Sequence, residues 1–566
     1  MASRIRPLVL AIVACSSLHA CSHAASPPPR APATTVAEVT HAPPPIVPTE
    51  RLYDDLGTYH RAITTSSPEA QRYFDQGLRF YYSFNHDEAL RSFEQAAVFD
   101  PSCAMCAWGA ALTLGPNINM PASAEAQSAA YASLRRALAH RDAATPDERA
   151  LIDALARRYA ETPPDTAEGR AALDQAYADA MREAMRSFPD DLDAATLFAE
   201  AMMDLHPWDL YTSDGTPKPG TEELVAALEG VLARMPDHPG ANHFYVHAVE
   251  ASAHPERALA SAERLPGLVP GAGHIVHMPA HVYLRVGRYE DAAEANRRAI
   301  ATDRTYLAQA PPPGAYGMYV AHNFQFLAAA AMMEGRSAEA LTAARDMVAT
   351  TPLEMFRQMP GFDGVLDYPI LVLVRFGRWD AALDEAAPPE DLPFALAVHH
   401  FARAVARLGK GDVENARAEQ ASFEAAVLRV PADARQFTNS ARAVLAVPHA
   451  LLAGLIAEHE RHRNEAPRLL REAVAAEDAL VYDEPPDWLL PTRHYLGHAL
   501  IVFRRYRDAE QVYREDLRIH PDNGWSYLGL AQALRGQGHE AEAAAAEREF
   551  HAAWSRADLT PTASHY

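Results

Sequence analysis

Between residues 70 and 101, small and aromatic residues recur at helical spacing. With Ala70 as position 1, Tyr73, Gly77 and Phe80 fall at positions 4, 8 and 11. Ala89, Phe93, Ala96 and Pro101 follow at 20, 24, 27 and 32. Steps of three and four residues put each set on one face of a helix. The pattern predicts two helices packed face to face, with Gly77 and Ala89 letting them approach closely and Pro101 ending the second.

The register returns from Pro239 (Val246, Val249, Ala258, Ala262), from Gly273 (Ala280, Tyr283, Gly287, Tyr289, Ala292, Ala299) and from Ala321 (Phe324, Ala328, Gly335, Ala340). It returns again from Asp363 (Gly377, Trp379, Ala382), from Leu490 (Gly497, Leu500, Ala509, Tyr513, Pro521) and from Gly524 (Ala531, Ala543). Weaker helical pairs fill 104–140, 145–205, 397–427 and 447–480. These residues resemble the tetratricopeptide repeat (TPR), a helix–turn–helix unit of about 34 residues. The resemblance implies an all-α, right-handed superhelical solenoid of about ten to twelve helix pairs over 51–557, followed by a tail, 558–566. In such an array each unit touches its neighbours, so removing a middle pair is expected to shorten it without abolishing folding.

The chain is also similar over its mature length to a group of exported bacterial TPR proteins without an established activity. Stretches that carry this are Phe74 to Pro101 with Cys103, Trp108 and Gly109, then Pro207-Trp208-Asp209-Leu210, Asn242 to Ser252, Gly273 to Tyr289, His322-Asn323 and Asp483 to Trp488. That likeness implies architecture and no chemistry.

Composition narrows the picture. The 566 residues are 49% hydrophobic and 22% charged, as in a globular protein. Ala-rich stretches with few β-branched residues exclude an all-β fold. The formal net charge of −23 supplies no field for neutralising phosphates, so a nucleic-acid partner is not expected.

Residues 1–21 read as a signal peptide. Arg4 and Arg6 precede a short apolar run, Pro7 to Ala14, too short to span a bilayer. Leu18-His19-Ala20-Cys21 resembles a lipobox, which makes Cys21 the candidate for lipidation; Ile12-Val13-Ala14-Cys15 offers Cys15 as the alternative, and a plain secretory cleavage near Ala25 is a third reading. Residues 22–50, rich in Pro, Ala and Thr, read as a tether. The expectation is an exported, periplasm-facing lipoprotein whose only membrane contact is its N-terminal anchor. Cys103 and Cys106 form a C-x-x-C without the His that haem c attachment needs or the second pair that a zinc ribbon needs. A local disulfide is expected, with a redox or metal role as the alternative.

Phosphate-binding loops, G-x-S-x-G and H-E-x-x-H are missing from the sequence. Two irregular loops could line a groove: 205–220, with Trp208 and Asp209, and 480–491, with Glu484 and Trp488. The histidines carry more information. In the repeat from Pro239, His243, His247 and Glu250 stand at positions 5, 9 and 12. In the repeat from Gly273, His274, His277, His281 and Arg285 stand at 2, 5, 9 and 13, and His322 is position 2 of the repeat from Ala321, followed by Asn323. Positions 2, 5, 9 and 12 share a stripe separate from the packing stripe, which in TPR arrays faces the concave groove. Pro279 threatens this register, because proline inside a helix kinks it or marks its start.

Three functions follow as expectations. The first is a tethered scaffold binding a peptide or protein partner in its groove. The alternative is a metal-binding protein or metalloenzyme in which His243, His247, His277 and His281 hold zinc, copper or nickel, with Glu250, His274 and His322 as further ligands or outer partners. The third is metal-free histidine acid–base chemistry.

Overall fold

The computed structural model describes residues 47–566 except 311–313, 315, 359 and 360. The signal, Cys15, Cys21 and nearly all of the tether lie outside the described residues. The fold is all-α and TPR-like, and its helices run from Pro68 to Ala553, with one two-residue hairpin, Arg435–Gln436 with Asn439–Ser440.

Local signals set the helix starts. Ser67 caps Pro68–Tyr81, Asn85 caps His86–Phe99, Thr145 and Glu148 form a capping box on Pro146–Leu155, and Asn523 caps Gly524–Gly536. Successive helices pair as the register predicts, for example Pro393–Gly409 with Val413–Arg429 and Ala441–His459 with Glu465–Asp478. The interval 145–205 instead holds three helices, Pro146–Leu155, Ala167–Ser187 and Leu192–Leu205. Ala441–His459 is long and apolar enough to cross a membrane, but most of it is buried inside the protein.

An aromatic wedge fixes the step between repeats. A Cβ on Gly77 or Gly109 would come within 2.8 or 2.4 Å of the Phe93 ring, so Phe93 fits only between two glycines. Tyr513 sits between Gly497 and Gly529 in the same way, with gaps of 2.4 and 2.1 Å. Each position-24 aromatic thus pulls its own first helix and the next one together.

The array coils until distant turns touch. Tyr306 Oη donates to Glu88 Oε2 at 3.3 Å and Asn119 Nδ2 to Tyr319 Oη at 3.3 Å. Further along, Tyr289 Oη donates to the Pro521 carbonyl at 2.9 Å and Trp525 Nε1 to the Met332 carbonyl at 3.0 Å. Among the described residues two large hydrophobic cores result, one built mainly from residues 56–282 and one from 280–554, beside a small cluster of Ala457, Ala466 and Phe503. They meet around the helices Gly273–His277 and Pro279–Arg285, whose residues contribute to both. Contacts between turns thus add to the nearest-neighbour contacts of the array.

The segments flanking the helices pack onto them. Residues 51–67 contain no helix and form a strap, tied down by Arg61, which donates to Asp191 at 2.7 Å and Asp193 at 2.9 Å. Residues 558–566 pack back as well. Asp558 accepts from the Ser337 and Ala338 amides at 3.0 and 2.8 Å, and Ser564 Oγ donates to the His494 carbonyl at 2.8 Å. Cys103 and Cys106 are joined as a disulfide at the start of Ala104–Thr113.

Trp525 tests the contact between turns. It is fully buried, lies against Trp554 and the Arg375 guanidinium at 3.9 Å, and bonds to Met332 across the turn. Trp525→Ala is expected to cost about 3–5 kcal/mol by urea denaturation. A loss under about 1 kcal/mol would show that the closure contributes little.

Candidate metal centre

Three buried segments carry the histidines. In Pro239–Val249 every residue is buried, so its polar side chains must find partners within the protein. Gly240 lies where a Cβ would come within 2.4 Å of the Tyr82 ring, and this closeness brings the Tyr82 carbonyl to His243 Nδ1 at 2.7 Å. Gly273–His277 and Pro279–Arg285 are two short helices hinged at Met278, which keeps helical dihedrals, and its amide still donates to the His274 carbonyl at 3.1 Å. Pro279 thus interrupts the ladder without turning the chain away, and His277 and His281 remain on one face. Gly317–Met333 supplies His322.

The hydrogen bonds around these rings fix their tautomers. His243 Nδ1 donates to a backbone carbonyl. His247 Nδ1 donates to Glu250 Oε1 at 2.8 Å and His281 Nδ1 to Glu250 Oε2 at 2.6 Å. His277 Nδ1 donates to Asn296 Oδ1 at 2.7 Å, and Asn296 is oriented by its own Nδ2 donating to the Ala292 carbonyl. With the proton on Nδ1, each Nε2 carries a lone pair. Those of His277 and His281 face each other at 2.9 Å, His243 Nε2 lies 3.1 Å from His274 Nε2, and His247 Nε2 is buried with no partner. The Nδ1 atoms of His277 and His281 both donate to oxygens, so their opposed Nε2 lone pairs need a cation or a shared proton between them, whereas His274 Nε2 can donate to His243.

Aromatic rings close the cluster. Phe84 lies 4.5, 5.8 and 5.5 Å from His243, His247 and His274 by ring centroids. Phe326 lies 4.6, 4.6 and 4.8 Å from His277, His281 and His322. Trp208 meets His247 edge-on at 5.5 Å. Phe84 and Trp208 both have left-handed backbones, φ 55° and 60°, a conformation costing bulky residues roughly 1–2 kcal/mol.

Burial, followed by neighbouring imidazoles, drives the proton affinities of His243, His274 and His277 well down. His322 falls to about 3 for the same reasons. Burial also lowers His247, against the pull of Glu250. Burial raises the Glu250 carboxyl, but His281 and His247 outweigh it and hold the group at about 2. The imidazoles of His243, His247, His274, His277 and His322 are thus held towards the neutral form that a metal needs, beside an ionised carboxylate.

His243, His247, His274, His277 and His281 are no more than 3% exposed, and His322 is half-buried. The stripe expected to line an open groove therefore lies inside the protein, because the coiled array fills its own concave side. His274, His322 and Glu250 join the cluster. Asn323 does not, its Nδ2 donating to Asp303 Oδ2 at 2.7 Å. Asp209 pairs with Lys218 near the surface. Arg285 stacks over Tyr482 at 5.2 Å, and Tyr482 Oη reaches Glu250 at 3.3 Å, so Arg285 stands one layer out. Sequence reasoning missed Phe84, Phe326, Asn296 and Tyr482. Asn296 had a signal: it occupies position 24 of its repeat, where Phe93 and Tyr513 pack in theirs.

No family model matches the chain, and no curated protein matches it. Among solved structures it is similar to the human IFIT1 dimer with m7Gppp-AAAA, at 12% identity over 88% of this chain and 92% of that one, TM-score 0.32. Yeast Tom70 is 11% identical over 87% and 92%, TM-score 0.30. The APC/C hetero-tetramer Cut9-Hcn1 is 12% identical over 86% and 74%, TM-score 0.29. At these identities and scores the likeness assigns neither site nor ligand.

The buried imidazoles have a thermodynamic signature. His243, His247, His274, His277 and His322 are held towards the neutral form in the folded chain and ionise near 6.5 when unfolded, so unfolding takes up protons below about pH 6.5. His86, lowered by burial to about 4, adds to this. Stability is complete above that pH and falls as the pH drops towards 4, by up to about 1.4 kcal/mol per unit for each such histidine. Urea midpoints of metal-free protein should decline steadily from about pH 7 to about pH 5. A flat profile would show that the rings are not held neutral.

Proposed function

We propose that the protein is a metal-binding protein whose repeat scaffold encloses a histidine centre for a transition metal. The observation that supports this is the set of buried lone pairs on His243, His247, His277 and His281, each fixed by an outer acceptor on the opposite ring nitrogen. Such partners orient metal-ligating histidines generally, and neutral imidazole suits zinc, copper and nickel. The reading of a peptide-binding groove has less support, since side chains fill the face a peptide would occupy. The lipobox-like N-terminus supports placing this centre in an exported, membrane-tethered protein, and the Cys103–Cys106 disulfide agrees with an oxidising compartment.

Metal analysis of tag-free protein, followed by titration with divalent zinc, copper and nickel, tests the proposal. The wild type should bind at least one equivalent, and His243→Ala/His277→Ala should bind at least about 100-fold more weakly. Equal affinity in the two proteins would reduce the cluster to interior packing.

A further inference from the structure

Building on the reading that this cluster binds metal, we propose that it is two sites of the same design, one repeat step apart, which hold a pair of monovalent copper ions. The first site is His243, His247 and His274; the second is His277, His281 and His322. In each, one ring nitrogen per histidine can be chosen so that all three lie within 4.8 Å of one another.

The two sets are built alike. Each takes an i, i+4 pair from the first helix of one repeat, at positions 5 and 9, and a third histidine from position 2 of a later repeat. His277 and His281 follow His243 and His247 by one repeat length, as the sequence numbers show. Each set has one phenyl ring against all three imidazoles, Phe84 on the first and Phe326 on the second. Glu250 stands between them, one oxygen on His247 of the first site and the other on His281 of the second. The sets adjoin, with the His247 and His281 rings 5.4 Å apart and those of His274 and His277 5.8 Å apart.

A single ion does not satisfy this geometry. The grouping of His247, Glu250 and His281 also lies within ligand range, but an ion there would displace both Glu250 hydrogen bonds. It would also leave the Nε2 lone pairs of His277 and His281 opposed at 2.9 Å. One ion per triad, bound through Nε2 of His247 and His281, separates the opposed His277 and His281 nitrogens and leaves both Glu250 hydrogen bonds in place.

Ligand number and charge choose the metal. Each triad offers three ring nitrogens and, among the described residues, no fourth protein ligand within the same range, while a phenyl ring packs against all three rings. Zinc in closed sites takes four ligands; monovalent copper is satisfied by three. Glu250 is the one carboxylate bonded directly to the ligand rings. Beyond Tyr482, Arg285 adds a positive charge, and burial pushes the Glu484 carboxyl up to about 7 against the pull of Arg285. Two monovalent ions leave one net positive charge beside Glu250, whereas two divalent ions leave three, and uncompensated buried charge is costly.

The test is an anaerobic titration of the apoprotein with Cu(I) against a chromophoric chelator, in parallel with Zn(II). Wild type should bind two Cu(I) per chain, each with three nitrogen neighbours by X-ray absorption, and a tenfold excess of Zn(II) should not displace them. His243→Ala and His277→Ala should each retain one. His274→Gln and His322→Gln, outside the i, i+4 pairs, make the same measurement if an alanine variant fails to fold. One copper per wild-type chain, loss of both ions on altering one triad, or displacement by zinc would each overturn the copper pair. Those three results would leave the broader metal-binding reading standing; binding of no metal would overturn both.

Discussion

The close approach of successive first helices is the constraint from which the remaining geometry follows. Where Phe93 is wedged between Gly77 and Gly109, and Tyr513 between Gly497 and Gly529, the step from one repeat to the next is set by a ring thickness. Repeating that step coils the array and closes its concave side. In the histidine-bearing repeats the same step brings side chains from consecutive helices within reach of a common point. Position 24, which Phe93 and Tyr513 fill as wedges in their repeats, is in the repeat from Gly273 given to Asn296, which holds His277. The scaffold and the centre therefore draw on the same repeat position, the one for packing and the other for an acceptor.

Such an interior is demanding. Imidazoles, a carboxylate and an amide are desolvated together, and the left-handed backbones of Phe84 and Trp208 add local strain. Structures keep such features where the surroundings over-determine them. Here the two cores meet on either side of Gly273–His277 and Pro279–Arg285, so the cluster is gripped from both directions. Rigid walls hold ligands better than loops do, and the rings of Phe84 and Phe326 also keep out the water that would otherwise answer the lone pairs.

Local features were legible in the sequence. Helix pairs follow from periodicity and caps, and the i, i+4 pairs at His243/His247 and His277/His281 follow from repeat arithmetic. Pro279 looked dangerous but proved tolerable, because Met278 continues the helical path. What the sequence did not disclose was burial. Whether a TPR groove stays open depends on small rotations summed over many repeats, and no single window records that sum. Phe84 reaches the centre from a turn 159 residues before His243, and Tyr482 reaches Glu250 from 232 residues beyond it. Glu250 was visible as a further ligand, yet its actual role, one oxygen for each of two rings, required the fold. Asp209 and Asn323 sat in suggestive contexts, but each was claimed by a nearer partner, Lys218 and Asp303.

Asp558 shows what the closed form implies for the order in which the molecule is completed. The helix Ser337–Thr350 has no side-chain cap of its own at Arg336, and its first amides are met by a carboxylate placed 221 residues later in the chain. A nascent chain reaches that residue only after the 220 residues between Ser337 and Asp558 have been made. Until then, a helix in the middle of the protein has bare amides at its start, and Trp525 has yet to find Met332. Residues 558–566 are thus a fastener, and a chain lacking them keeps its repeats but loses the bonds that Asp558 and Ser564 make to earlier helices.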